Sequence, residues 1–203
     1  MATFFSSVFS NEPLEDFELL PEKPCQKPME NIEFDLEDIK LRLNKLIVNK
    51  SPGPDMLHPR LLYETREQIA YPLKQIFECS YKTKQLPADW KSANISAIYK
   101  KGKKSDVGNY RPVSLTSISC KIMESIIRDS IMKHFLKNRL FSKNQFGFIK
   151  GRSTVLQLLN VLDKWTEFLE KGGQIDVIYT DLEKAFDKVP HKRLISKLRS
   201  YKL

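Results

Sequence analysis

Between Trp90 and Leu115 the spacing of apolar residues changes from a helical repeat to alternation, and beyond Leu115 it changes back. Ile95, Ala97 and Tyr99 alternate with Asn94, Ser96 and Ile98, a period that sends successive side chains to opposite faces of a strand. Tyr110 to Leu115 supplies a second short strand, and the intervening KKGKKSDVGN is polar and contains glycine. A β-hairpin with a long basic tip is the expected result. One hairpin set among helical segments restricts the chain to an α+β fold, mostly helical with a small sheet.

The flanking segments are helical by period. Leu36, Ile39, Leu43, Leu46 and Ile47 recur at helical spacing, with Asp35 placed as N-cap. That helix ends before NKSPGPD, whose prolines and glycine impose a rigid loop. A second block over about 60–84 carries Ile69, Leu73, Ile76 and Phe77, with Pro72 starting or kinking its longer half. A third helix over about 118–137 turns Ile118, Ile122, Ile126, Ile127 and Ile131 toward a core. After the NQFGFIKGRST loop, Ser153 or Thr154 caps a helix with the stripe Val155, Leu158, Leu159, Leu162, Trp165 and Leu169, which Gly172-Gly173 ends. Gln174–Thr180 reads as a largely buried strand, and a last helix starts near His191.

Charge divides the chain unevenly. The net charge is +9, composed of −7 over residues 1–40 and +16 over 41–203. Residues 1–34 form an acidic, partly disordered leader by composition, and 35–203 the folded domain. A basic body suits a polyanionic partner, nucleic acid first among them, although a solvated lysine-rich surface has the same composition. No apolar stretch approaches the roughly 20 residues of a membrane span. The start lacks the basic region of a secretory signal, so a non-secreted protein is expected. Cys25, Cys79 and Cys120 lie far apart and share no CxxC spacing, which argues against a disulfide framework or a zinc knuckle.

Three places can carry chemistry. Asp181 ends the expected strand, where a sheet presents ligand-binding groups, and a carboxylate there suits a magnesium ion bound to a nucleotide. It also suits a simple turn cap, which spacing alone favours. Asp176 is no partner for it, lying on the opposite pleat about 17 Å away, and Asp187 belongs to the following turn or caps the last helix. Lys100, Lys101, Lys103 and Lys104 at the hairpin tip, with Arg111 on the returning strand, have the chemistry to embrace a triphosphate or simply to keep the hairpin solvated. Lys150 and Arg152 sit beside two glycines and a helix start, either gripping a nucleic-acid backbone or belonging to an ordinary capped helix.

NKSPGPD, W-K-x-A-x-I-x-x-I-Y-K-K-G, NYRPVSL, Q-F-G-F-x-x-G-R-S-T and D-L-E-K-A-F-D-K-V occur in this order from about residue 36 to the end. The set resembles the amino-terminal half of the reverse transcriptase domain of non-LTR retrotransposons, of the LINE and jockey type. That resemblance implies the fingers (about 35–170) and the start of the palm (about 171–203) of a right-hand polymerase, with an incomplete palm sheet. It implies that Asp181 binds catalytic Mg2+, assisted by the backbone carbonyl of Leu182, and that Phe186 packs under the sugar and excludes a 2′-hydroxyl. Arg111 and Lys100 or Lys101 would contact the incoming deoxynucleoside triphosphate. Lys103, Lys104, Lys150 and Arg152 would face nucleic acid, with an RNA template and a DNA primer as partners, inside the nucleus or cytoplasm.

The chain departs from the family pattern. It contains no Asp-Asp pair, so two of the three expected metal-binding aspartates are absent, and neither the thumb nor an upstream endonuclease is expected in it. The expectation is a polymerase fragment, inactive alone. The alternative is a non-catalytic nucleic-acid-binding remnant.

Overall fold

A computed structural model describes residues 2–7, 12 and 27–203. Most of the expected acidic leader, with Cys25, lies outside the described residues; Ala2–Ser6 forms a one-turn helix, α1. The described residues divide into two compact units, one built on Met29–Lys133 and the other on His134–Leu203.

In the first unit, local signals set the element boundaries. Asp35 is extended and its carboxylate accepts from the Asp38 amide at 2.9 Å, opening α2 (Leu36–Asn44). The second block is two helices, α3 (Pro59–Glu64) and α4 (Arg66–Thr83), with Pro59 in the first turn of α3. Pro72 sits inside α4 and starts no helix. Lys84, in the left-handed region at φ 57°, closes α4 where a glycine would be usual. β1 (Asn94–Tyr99) and β2 (Tyr110–Leu115) pair antiparallel, with Asn94 opposite Leu115 and Tyr99 opposite Tyr110. This hairpin is the one sheet among the described residues. α5 (Ile118–Lys137) follows.

The core of this unit joins the inner faces of α2, α4 and α5. Ala70, Leu73, Phe77 and Ser80 line α4 at helical spacing, while Ile76 is exposed, so the buried stripe is rotated from the one the apolar residues alone suggest. Ile39 and Leu43 of α2 and Ile118, Ile122, Met123 and Ile126 of α5 meet it. Ile32 and Phe34, within the stretch read as leader, are buried in the same cluster. Gly53 of the SPGPD loop lies so close to Thr116 and Ser117 that an added Cβ would sit 2.5 Å from backbone.

Arg42 ties α2 to α5. Its guanidinium donates to Asp38 Oδ2 at 2.9 Å, Ser125 Oγ at 2.7 Å and Asp129 Oδ2 at 2.9 Å. Burial pushes the Asp129 carboxyl up, but hydrogen bonds from Arg128 and Arg42 outweigh it and hold the group below its ordinary value. A depressed carboxyl contributes stability above its unfolded-state pKa and loses it as pH falls through the folded-state one. Arg42→Ala is expected to cost about 1–3 kcal/mol in urea unfolding near neutral pH. The difference from wild type should shrink below about pH 4, as Asp129 protonates. A pH-independent difference would assign the effect to packing of the arginine stem.

In the second unit, Ser153 accepts from the Leu156 amide at 3.2 Å and opens α6 (Thr154–Glu170). Gly172, at φ 78°, turns the chain away from it. The expected stripe of α6 is present, but Val155, Leu158, Leu159, Leu162 and Leu169 are all exposed. The expected strand over 174–180 does not form: these residues have no regular structure, and Tyr179 is 87% exposed. A strand needs a neighbour to take its backbone hydrogen bonds, and no described segment pairs with this one. α7 (His191–Ser200) completes the unit. Its first amides are capped by Glu12, which accepts from Lys192 at 2.8 Å and Arg193 at 3.3 Å, so Asp187 does not cap it.

Candidate nucleic-acid interface

The hairpin tip is a built loop. The Lys100 amide donates to the Asn109 carbonyl at 2.8 Å, closing the ladder above Tyr99 and Tyr110. Asn109 Nδ2 donates to the Lys103 carbonyl at 2.9 Å, and the Tyr110 hydroxyl to the Lys104 carbonyl at 2.9 Å. Gly102 has φ 91° and lies against the Asn109 side chain, where a Cβ would come within 2.6 Å. These bonds use the lysines' backbone and leave Lys100, Lys101, Lys103 and Lys104 as exposed cations; Lys104 Nζ also stands 5.8 Å from the centre of the Tyr99 ring. Arg111 is exposed on β2, opposite Ile98. The five cationic groups thus share one hairpin.

In the second unit, Asp181, Leu182 and Phe186 lie on an exposed irregular segment. The Phe186 ring meets the Phe148 ring edge to face, with centroids 6.3 Å apart and planes at 84°. Phe148 belongs to the QFGFIKGRST loop, so that loop and the DLEKAFDKV segment come together here. Lys150 is exposed, whereas Ile149 beside it is buried. Arg152 Nη1 donates to the carbonyls of Ser142 at 3.0 Å, Lys143 at 3.3 Å and Gln145, and the guanidinium lies 5.7 Å from the Phe146 ring centre. Arg152 therefore folds the 142–146 backbone about itself. Sequence reasoning passes over Phe148, because two aromatics in a loop, Phe146 and Phe148, carry no period that tells one from the other. It also passes over Asn109, although the D-x-G-N run is a turn signature.

Among the described residues no group of three or more His, Cys, Asp or Glu side chains converges on a point that would hold a metal ion. Asp181 is thus at most part of a ligand set, and these residues do not fit a complete metal site. Cys79 and Cys120 are free thiols; burial, followed by Glu124, pushes the Cys120 thiol up to about 12, so it stays protonated. No described helix is long and apolar enough to cross a membrane.

Residues 98–203, which include the hairpin tip, the QFGF loop and Asp181, match the family described as reverse transcriptase (RNA-dependent DNA polymerase). The chain belongs to the reverse transcriptase family. Relatives agree over most of its length. The RNA-directed DNA polymerase from mobile element jockey of Drosophila melanogaster is 33% identical over 179 residues, 88% of this chain and 20% of that protein. The jockey protein of Drosophila funebris is 34% identical over 166 residues, 81% of this chain and 18% of that protein. A more distant relative, the transposon TX1 149 kDa protein of Xenopus laevis, is 26% identical over 98% of this chain and 16% of its own length. This reverse transcriptase chain thus corresponds to about a fifth of the jockey proteins it matches.

Proposed function

We propose that this chain is the fingers and the start of the palm of a retrotransposon RNA-directed DNA polymerase, the part that grips template and primer and receives the incoming nucleotide. The observation that carries the reading is the hairpin tip, where a hydrogen-bonded loop holds four lysines outward beside an exposed arginine. A loop so fixed presents its cations to phosphate without first having to order its backbone. Lys100, Lys101 and Arg111 take the triphosphate of the deoxynucleotide, with arginine supplying the bidentate fork. Lys103, Lys104 and Lys150 face the nucleic-acid backbone, and Arg152 keeps the loop bearing Lys150 in shape. Phe186 packs against the sugar. Magnesium is the metal of this chemistry, and Asp181 with the Leu182 carbonyl is the part of its ligand set assigned here. The setting is intracellular, where template RNA and deoxynucleotides are found.

A partial ligand set supports binding without turnover. The full chain, mixed with an RNA template annealed to a DNA primer, deoxynucleoside triphosphates and magnesium, is expected to retard the hybrid in a low-salt gel and leave the primer unextended. Templated extension would overturn the partial-site reading. Failure to retard the hybrid at low salt would overturn the grip.

A further inference from the structure

Phe148 is 91% exposed and has φ 62°, a region that residues with a Cβ seldom adopt. Burial does not hold it there, since its ring meets no core. The loop around it is nevertheless fixed. Ile149 is buried on one side, and Arg152 gathers the carbonyls of Ser142, Lys143 and Gln145 on the other. Between these anchors the left-handed backbone turns the Phe148 ring outward. Phe186, itself 81% exposed, meets it at 84°, so the two rings form an open corner rather than a closed stack.

The surroundings of the corner select its occupant. Residues 141–152, which carry Phe148, contain Lys143, Lys150 and Arg152 and no acidic side chain. The segment that carries Phe186 has Asp181, Glu183 and Asp187 beside Lys184 and Lys188, so the two together keep a net positive charge. An exposed π-face in a cationic loop matches a planar group carried on an anionic backbone. An apolar protein surface would use the rings and leave the cations without counter-charge. We propose that Phe148 is a stacking surface for one unpaired base of a single-stranded nucleic acid, with Phe186 bracing its ring and Lys150 on the adjoining phosphate. The proposal rests on the nucleic-acid reading above, which phosphate contacts alone would satisfy.

The test uses the full chain and fluorescence anisotropy. Its two labelled probes are a single-stranded RNA of about 16 nucleotides and an abasic strand of equal length and charge. Phe148→Ala is expected to weaken RNA binding about 5- to 150-fold, with the salt slope unchanged. It should leave binding of the abasic strand as it was. Phe148→Trp keeps a ring and should keep the affinity. Phe148→Gly, which suits the positive φ, should bind RNA weakly while its thermal unfolding midpoint is unchanged or raised.

RNA binding by Phe148→Ala equal to wild type would overturn the stacking surface and leave the nucleic-acid reading standing. Equal weakening of both probes would also overturn it, by showing a general change in the loop. Wild type that binds neither probe at low salt would overturn both readings. A change in self-association by light scattering, with RNA affinity intact, would assign the rings to a protein contact instead.

Discussion

Phe77→Ala is expected to remove about 3–5 kcal/mol of stability from the first unit. Phe77 is wholly buried on α4, with its ring 5.7 Å from that of Phe34 and 5.9 Å from that of Trp90. Truncation forfeits the transfer energy of a large aromatic and leaves a hole lined by two other rings, which cannot collapse without moving α4. Small domains hold only about 5–15 kcal/mol in all, so one residue carries a large share here. Urea unfolding followed by circular dichroism is the measurement. Tyr71→Ala is the control on the same helix: Tyr71 is 59% exposed, and its loss should stay within about 0.5 kcal/mol. Comparable losses for the two variants would mean that the buried face of α4 is misassigned.

That core shows where sequence reading succeeds and where it stops. Asp35 is legible as a cap, and Ser153 as one of two candidates with Thr154, because a cap depends only on the residues within one turn of it. The hairpin is legible because both of its strands and its tip lie in one short window. The strand over 174–180 fails because alternation describes one strand, while formation needs a second to accept its hydrogen bonds. Ile32 and Phe34 enter the core from a segment with no period to mark them. The α6 stripe is a real pattern, but a pattern does not say what covers it. In the candidate site, residue type pointed to Arg152 as a cation, whereas its three carbonyl partners depend on how the 142–146 backbone folds. Phe148 became visible only through its backbone angle and its neighbour.

Glutamine at Lys100, Lys101, Lys103 and Lys104 together is expected to lower the salt dependence of nucleic-acid binding, which no single substitution at Phe148 should change. Each cation seated on a phosphate releases counterions, so each adds about 0.7–0.9 to the slope of log affinity against log salt. With Lys103 and Lys104 on the nucleic-acid backbone, losing the set should flatten the slope by about 1.6, which amounts to roughly 9-fold over a fourfold rise in salt. These side chains are exposed and the tip is closed by backbone, Asn109 and Tyr110, so folding should be unaffected. Splitting the set assigns the roles. Lys103→Gln with Lys104→Gln should account for nearly all of the lost slope on an RNA–DNA hybrid. Lys100→Gln with Lys101→Gln should instead weaken competition by a deoxynucleoside triphosphate for the tip, as should Arg111→Ala. A slope unmoved by the fourfold change would leave the lysines as a solvated surface and return the grip to the second unit. A slope that flattens equally for either pair, with triphosphate competition intact, would make the whole tip a backbone clamp and remove the nucleotide from Lys100 and Lys101.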